Sequence, residues 1–258
     1  MTKLLDGKIC IIAGAAAPKG IGQAASRLFA EHGARLVLAD IAASDARVAE
    51  FVSALVADGF PLPDVIAVKC DISDPQDSDR LVAATVERFG CLDVLVNSAG
   101  IVGSGPMLDV DADALDRMIS VNLKGAFNLC QSALAVFVKQ QHGIIVNIAS
   151  LAAQRGGGLV GGAHYAAAKG GVLSLTRSIA REFGPSGIRA NAICPAMAQT
   201  SMLDDLTDTQ IDAIKAEIPL RRLGSPRDVA GACLFLASDL SNFVTGATVD
   251  VNGGLHIH

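Results

Sequence analysis

Seven short apolar runs, each closed by a turn signal and followed by a helical pattern, constrain this 258-residue chain more than any other feature. They are Lys8–Ala13, Arg35–Asp40, Val65–Cys70, Leu92–Asn97, Gly143–Ile148, Arg189–Cys194 and Ala247–Val251. Most are continuous rather than alternating, the pattern of strands covered on both faces. Amphipathic stretches lie between them. In Ser44–Asp58, Val48, Phe51, Val52, Leu55 and Val56 share one helical face. In Ser73–Phe89, Ser73 is expected to cap and Pro75 to sit in the first turn, with Leu81, Val82, Val86 and Phe89 facing inward. Longer helical patterns run from about Asp111 to Gln141 and from Ala163 to Phe183. Strand and helix alternate without a linker or a shift in composition. The expected architecture is therefore a single α/β domain, a doubly wound Rossmann-type parallel sheet of about seven strands flanked by helices. Residues 196–218 depart from the rhythm, mixing polar residues with Met202, Leu203, Leu206, Ile211 and Ile214, and are expected to form a helical excursion over the substrate side.

Composition narrows the function classes. Hydrophobic residues make up 51% and mean hydropathy is +0.43, as doubly covered strands or a subunit interface would produce. No single apolar run approaches the roughly 18–20 residues of a membrane helix, so no membrane association is expected. MTKLLDGKIC leads into Gly-Ala-Ala-Ala-Pro-Lys rather than a cleavage site, which does not read as a leader. Cys10, Cys70, Cys91, Cys130, Cys194 and Cys233 show no CxxC and no metal spacing. They suit core positions in a reducing cytoplasm, and no metal site is expected. A net charge of −5 without a basic cluster argues against nucleic acid as a partner.

Behind the first run stands AGAAAPKGIG, Ala13 to Gly22. Glycine lets the backbone approach a pyrophosphate, and a helix beginning near Ile21 supplies free N–H groups and a positive dipole end. Gly14, Gly20 and Gly22 would be the working glycines, with Ala15–Lys19 as a crest over the phosphates and Lys19 free to reach phosphate or solvent. Asp40 ends the second run, where a carboxylate can accept from both ribose hydroxyls of an adenosine and would repel a 2′-phosphate. Ile41-Ala42-Ala43 offers no base to offset it, so NAD is favoured, while Lys19 argues for NADP. Asp71 and Ile72 could meet the adenine. Asn97-Ser98-Ala99-Gly100 ends the fourth run with small residues that let a cofactor lie close; Asn97 could equally bond a neighbouring strand.

The chain has one tyrosine, and it falls in Tyr165-Ala166-Ala167-Ala168-Lys169. A spacing of four puts Tyr165 and Lys169 on one helical face. A free phenol has a pKa of about 10, and an ammonium one turn away favours the phenolate. Ser150 ends the fifth run, IIVNIAS, and Asn122 is a polar residue among apolar ones in MISVNLKGAF.

With these residues assembled, the chain resembles the classical short-chain dehydrogenase/reductases over nearly its whole length. The resemblance rests on Gly14–Gly22, Asp40, Asp71, Asn97–Gly100, Asn122, Ser150 and Tyr165–Lys169. It extends through Asn191–Ala196 with Thr200, and the closing Pro226–Gly254 stretch. It implies reversible hydride transfer between a nicotinamide and an alcohol/ketone pair. Tyr165 would be the general acid/base, Ser150 would hold the substrate oxygen, and Lys169 would lower the tyrosine pKa and bind the nicotinamide ribose. Asn122 would hold a relay water, and Pro195, Ala196 and Thr200 would frame the nicotinamide. A homotetramer is also implied. Three departures stand out. The glycine loop is two residues longer than usual, with Ala13 in place of threonine. Asn97-Ser98 replaces a pair of asparagines, and the Ser150–Tyr165 segment is about two residues longer, with five glycines. Gly103–Met107, Leu151–His164 and Ala196–Leu206 would border the substrate, and Arg155 could meet a carboxylate or stand in solvent. An NADPH-linked 3-oxoacyl reductase and a non-catalytic dinucleotide-binding regulator remain the alternatives.

Overall fold

The computed structural model describes residues 3–61, 63–157, 161–196 and 207–258. Its strands are β1 (Ile9–Ala13), β2 (Arg35–Asp40), β3 (Val65–Lys69), β4 (Val94–Asn97), β5 (Gly143–Ile148), β6 (Ile188–Pro195) and β7 (Thr248–Val251). They form one sheet in the order β3-β2-β1-β4-β5-β6-β7, every neighbouring pair parallel. The helices among the described residues are α1 (Ile21–Glu31), α2 (Asp45–Ala57), α3 (Pro75–Phe89), α4 (Ala112–Ile119), α5 (Gly125–Gln140), α6 (Ala152–Arg155), α7 (Ala163–Phe183), α8 (Asp208–Glu217) and α9 (Pro226–Ala237).

The continuous apolar runs have a direct cause: each central strand serves two cores. Cys10 and Ile12 of β1 join Leu36, Leu38, Val94 and Val96 beneath α1, α2 and α9. Ile9, Ile11 and Ala13 point the other way, into a core with Val37, Leu95 and Ile145 beneath α3, α5 and α7. The chain reverses its direction of winding between β1 and β4, and that switch point opens a crevice beyond their carboxyl ends.

One local expectation needs correction, and others gain detail. Asp74, not Ser73, caps α3, accepting from the Gln76 amide, because the residue directly before the N1 proline takes the cap position. Ser73 instead bonds Asp71. The long helical pattern is continuous from Ala112 to Gln140 but passes through a π turn, Ser120–Lys124. That 29-residue stretch does contain a window long and apolar enough to cross a membrane, with mean hydropathy 1.2. No unbroken apolar run flagged it because charges are scattered through it; half of the window is buried inside the molecule, as in a core helix. Of the expected excursion, α8 is helical, and 197–206 lie outside the described residues.

Candidate active site

The glycine loop is shaped by contacts that admit no Cβ. Gly14 has φ +78°, and a Cβ there would stand 2.7 Å from the Ala99 amide nitrogen. A Cβ on Gly22 would collide with the Gly14 carbonyl oxygen and lie 2.6 Å from Ser98 Oγ. The Ser98 hydroxyl donates to the Ala13 carbonyl at 2.8 Å, so a small residue at 98 fits beneath the loop. Gly20 takes the N-cap position of α1 with no side-chain cap, and the first turn of α1 carries no acid. The amides at this helix end thus face the crevice without a protein anion, an arrangement fitted to a pyrophosphate.

The crest is tied at Ala16, through both its amide and its carbonyl. Asp40 accepts from the Ala16 amide through Oδ2 and from the Ala42 amide through Oδ1, each at 3.0 Å. Arg47, in the first turn of α2, donates to the Ala16 carbonyl at 2.8 Å. Asp40, Lys19 and Arg47 together rim a cavity of about 400 Å³ whose floor is Leu38, Phe51 and Leu55. Arg47 escaped the sequence reading, which considered only Ile41–Ala43 beside Asp40; its signal was its place three residues after the Ser44 cap. Ile41 is exposed.

On the other side of the crevice, Ile72 is buried against Gly125. The Asp71 carboxylate accepts from the Ser73 amide and hydroxyl. Asn97 turns its amide into the sheet, donating to Asn147 Oδ1 at 3.4 Å. Asn147 in turn donates to Thr176 at 3.0 Å. Ala99 and Gly100 stay at the crevice. A Cβ on Gly100 would lie 2.5 Å from Asn122 Oδ1 and 3.3 Å from Lys169 Nζ.

Around Gly100 the chemical groups converge. Ser150 follows β5, and Tyr165 and Lys169 project from one face of α7 into a cavity of about 460 Å³. Lys169 Nζ donates to the Ile148 carbonyl at 2.8 Å. Burial pushes the Tyr165 phenol up from its usual range, and its hydrogen bond with Ser150 pulls the other way. Burial pushes Lys169 down to about 8. Asn122 sits in the π turn, where an i→i+5 ladder frees groups for other partners. Its Nδ2 donates to the Ile101 carbonyl at 2.9 Å and its Oδ1 accepts from the Ile101 amide at 3.2 Å, which pins the segment following Gly100. Ile21, Pro195 and Ala196 complete the inner wall. Thr200 lies outside the described residues.

Residues 14–256 match the family model described as Enoyl-(Acyl carrier protein) reductase. An uncharacterized short-chain type dehydrogenase/reductase of Sinorhizobium fredii is 43% identical over 99% of this chain and 100% of its own. The chain belongs to the short-chain dehydrogenase/reductase family. An L-rhamnose 1-dehydrogenase (NAD(P)(+)) of a Sphingomonas strain is 41% identical, covering 99% of each chain. A 3-oxoacyl-[acyl-carrier-protein] reductase of Thermotoga maritima is 37% identical over 98% of this chain and 99% of its own. The solved structure of a putative short-chain dehydrogenase/reductase from Burkholderia xenovorans superposes with a TM-score of 0.89 at 34% identity, covering 98% of each chain.

Within this short-chain dehydrogenase/reductase the outer wall of the cavity differs from expectation. Ile101 and Val102 line it, while Met107 is exposed. His164 is buried behind Gly103 rather than in the described wall, with Nδ1 unpartnered among the described residues. Leu151, Ala152, Arg155 and Gly157 contribute from the lengthened segment. The far side is formed by Gln210, Ala213, Ile214 and Glu217 of α8 and by Leu255. Leu255, like Ile211 and Ile214, packs against Ile218 and Leu223, joining the C-terminal tail to the end of α8, a contact that spacing along the chain does not reveal.

Proposed function

We propose that this enzyme interconverts a secondary alcohol and a ketone with NAD. The observation that carries the reading is the meeting of Ser150, Tyr165 and Lys169 in one cavity beside the uncapped end of α1. When bound, the nicotinamide supplies or accepts the hydride. The chain's own groups handle the proton and the geometry. Ser150 hydrogen-bonds the substrate oxygen, and Tyr165 gives or takes its proton. Burial alone makes the phenol a poor base, so the cation of Lys169 and the cofactor's positive charge are both needed to favour phenolate. Lys169 can hold its proton at neutral pH and pass it toward Asn122 and solvent. The intact set argues against a non-catalytic regulator.

NAD is preferred because the Asp40 carboxylate, fixed by two loop amides, would stand against a 2′-phosphate. One observation favours a second reading, NADP use with a 3-oxoacyl substrate: Lys19 and Arg47 rim the same cavity as Asp40. The names of the Sphingomonas and Thermotoga relatives include NAD(P)(+) and 3-oxoacyl reduction respectively. We further propose a cytoplasmic homotetramer without nucleic-acid or membrane partners. Its interfaces would cover the exposed Leu115 and Phe127 of α4 and α5, and Leu240, Phe243 and Ile257 near the C-terminus.

The test is Tyr165→Phe. We predict a fall in kcat of at least about 100-fold with NAD binding retained, measured by steady-state kinetics and calorimetry. Near-normal turnover would overturn the mechanism. Higher kcat/KM with NADP than with NAD would transfer the cofactor assignment to the second reading.

A further inference from the structure

The outer half of the cavity carries a charge that the proton-transfer chemistry does not use. Among its described lining residues the cations are Lys169 and Arg155. Lys169 is buried and directed at the Ile148 carbonyl. Arg155 is exposed at the cavity wall and makes no ion pair among the described residues. It closes the four-residue α6, which starts two residues after Ser150, so the guanidinium stands on the same short segment as the group that would hold the substrate oxygen.

That segment is anchored. Gln154 donates to Asp250 Oδ1 of β7 at 2.8 Å, and His258 stands 3.0 Å from Asp250 Oδ2. Beyond Arg155 the chain turns through Gly156 and Gly157 at φ +83° and +116°, conformations that favour glycine; a Cβ on Gly156 would meet nothing within 4 Å. The guanidinium is thus carried on a pinned segment, followed by a turn with open space at Gly156. The same lining includes the apolar Val102, Leu151, Ile214 and Leu255 and the polar Gln210. Glu217 lines the opposite side on α8, and no ion pair joins it to Arg155.

We propose that the substrate is a small hydroxy acid or oxo acid, with its carbonyl or hydroxyl carbon at Ser150 and Tyr165 and its carboxylate on Arg155. This rests on the oxidoreductase reading above. A planar guanidinium with two parallel donors matches a carboxylate. Glu217 acts against the same carboxylate from across the cavity and sets a limit on its affinity.

The experiment compares kcat/KM for 2-, 3- and 4-hydroxy acids of four to six carbons with their neutral methyl esters and amides, and with L-rhamnose, using holoenzyme. Wild type should favour an acid over its ester by about 10- to 100-fold. Arg155→Met should remove that preference by lowering acid turnover while leaving the ester unchanged, and Arg155→Lys should restore part of it. Glu217→Gln should raise kcat/KM for the acid. Equal use of acid and ester by wild type, equal losses for both in Arg155→Met, or turnover of L-rhamnose and no acid would each overturn the proposal. Failure of the oxidoreductase reading shows separately, as Tyr165→Phe retaining turnover of whichever substrate is used.

Discussion

The glycine loop and the proton-transfer cluster face each other across the carboxyl ends of β1, β4 and β5, and they are made of opposite materials. The loop works through backbone amides and missing Cβ atoms: Gly14 against Ala99, Gly22 against Gly14 and Ser98. The cluster works through side chains whose behaviour is set by burial: Tyr165 pushed up, Lys169 pushed down. A backbone site tolerates extra residues wherever they add no atom at the close approaches. The crest is tied by Asp40 and Arg47 at Ala16, away from the close approaches of Gly14 and Gly22. A side-chain site is held by helical spacing instead, with Tyr165 and Lys169 one turn apart on α7.

The largest effect that separates the two regions is the stability cost of the buried cation. The folded-state pKa of Lys169, about 8, lies below its ordinary 10.5. The unfolded chain therefore binds the extra proton between those values, and the penalty is fully present below pH 8 and vanishes as pH rises past 10.5. Against a Lys169→Met reference, wild type should gain on the order of 3 kcal/mol between pH 7 and pH 10.5 in denaturant unfolding. A constant difference across that range would show that Lys169 is not destabilised by burial.

The loop predicts the reverse pattern, a steric cost without pH dependence. Gly22→Ala puts a methyl group against the Gly14 carbonyl and Ser98 Oγ. It should cost about 1–3 kcal/mol of stability, and NAD affinity should fall at least tenfold by calorimetry. Gly231→Ala on α9 is the control, since its Cβ would meet nothing within 4 Å. Undiminished NAD binding by Gly22→Ala would remove the loop from the phosphate site and leave the cluster as the only functional half.

Legibility in the sequence follows the same division. The strands stood out because two cores demand apolar residues at consecutive positions, as Ile9 to Ala13 show. Tyr165 and Lys169 could be paired because a helix fixes the geometry of neighbours four apart. What spacing could not supply were contacts between distant segments. Asn97 finds Asn147 across the β4–β5 register, fifty residues on, and gives its side chain to the sheet. Leu255 reaches the cavity only because the chain end folds back on α8. The π turn at Asn122 was hidden too, since a π turn and an α-helix share nearly the same apolar pattern over five residues. Ser73 was expected to cap α3, but the residue directly before Pro75, Asp74, takes the cap position.

Arg47 offers the smallest effect and the finest test of how the two halves are joined. Its guanidinium holds the Ala16 carbonyl while Asp40 holds the Ala16 amide, so the crest is secured on both sides of one residue. Removing one tie should loosen the crest without shifting Gly14 or Gly22, whose positions depend on Ala99 and Ser98. Arg47→Ala is therefore predicted to raise KM for NAD by about threefold and leave kcat unchanged, because the interaction is equal in ground and transition states. A simultaneous fall in kcat would mean that the crest communicates with Tyr165 across the crevice, and the separation drawn between a backbone half and a side-chain half would fail. A loss confined to NADP would instead make Arg47 a reader of the 2′-phosphate, with Lys19 as its partner and Asp40 reduced to a loop tie.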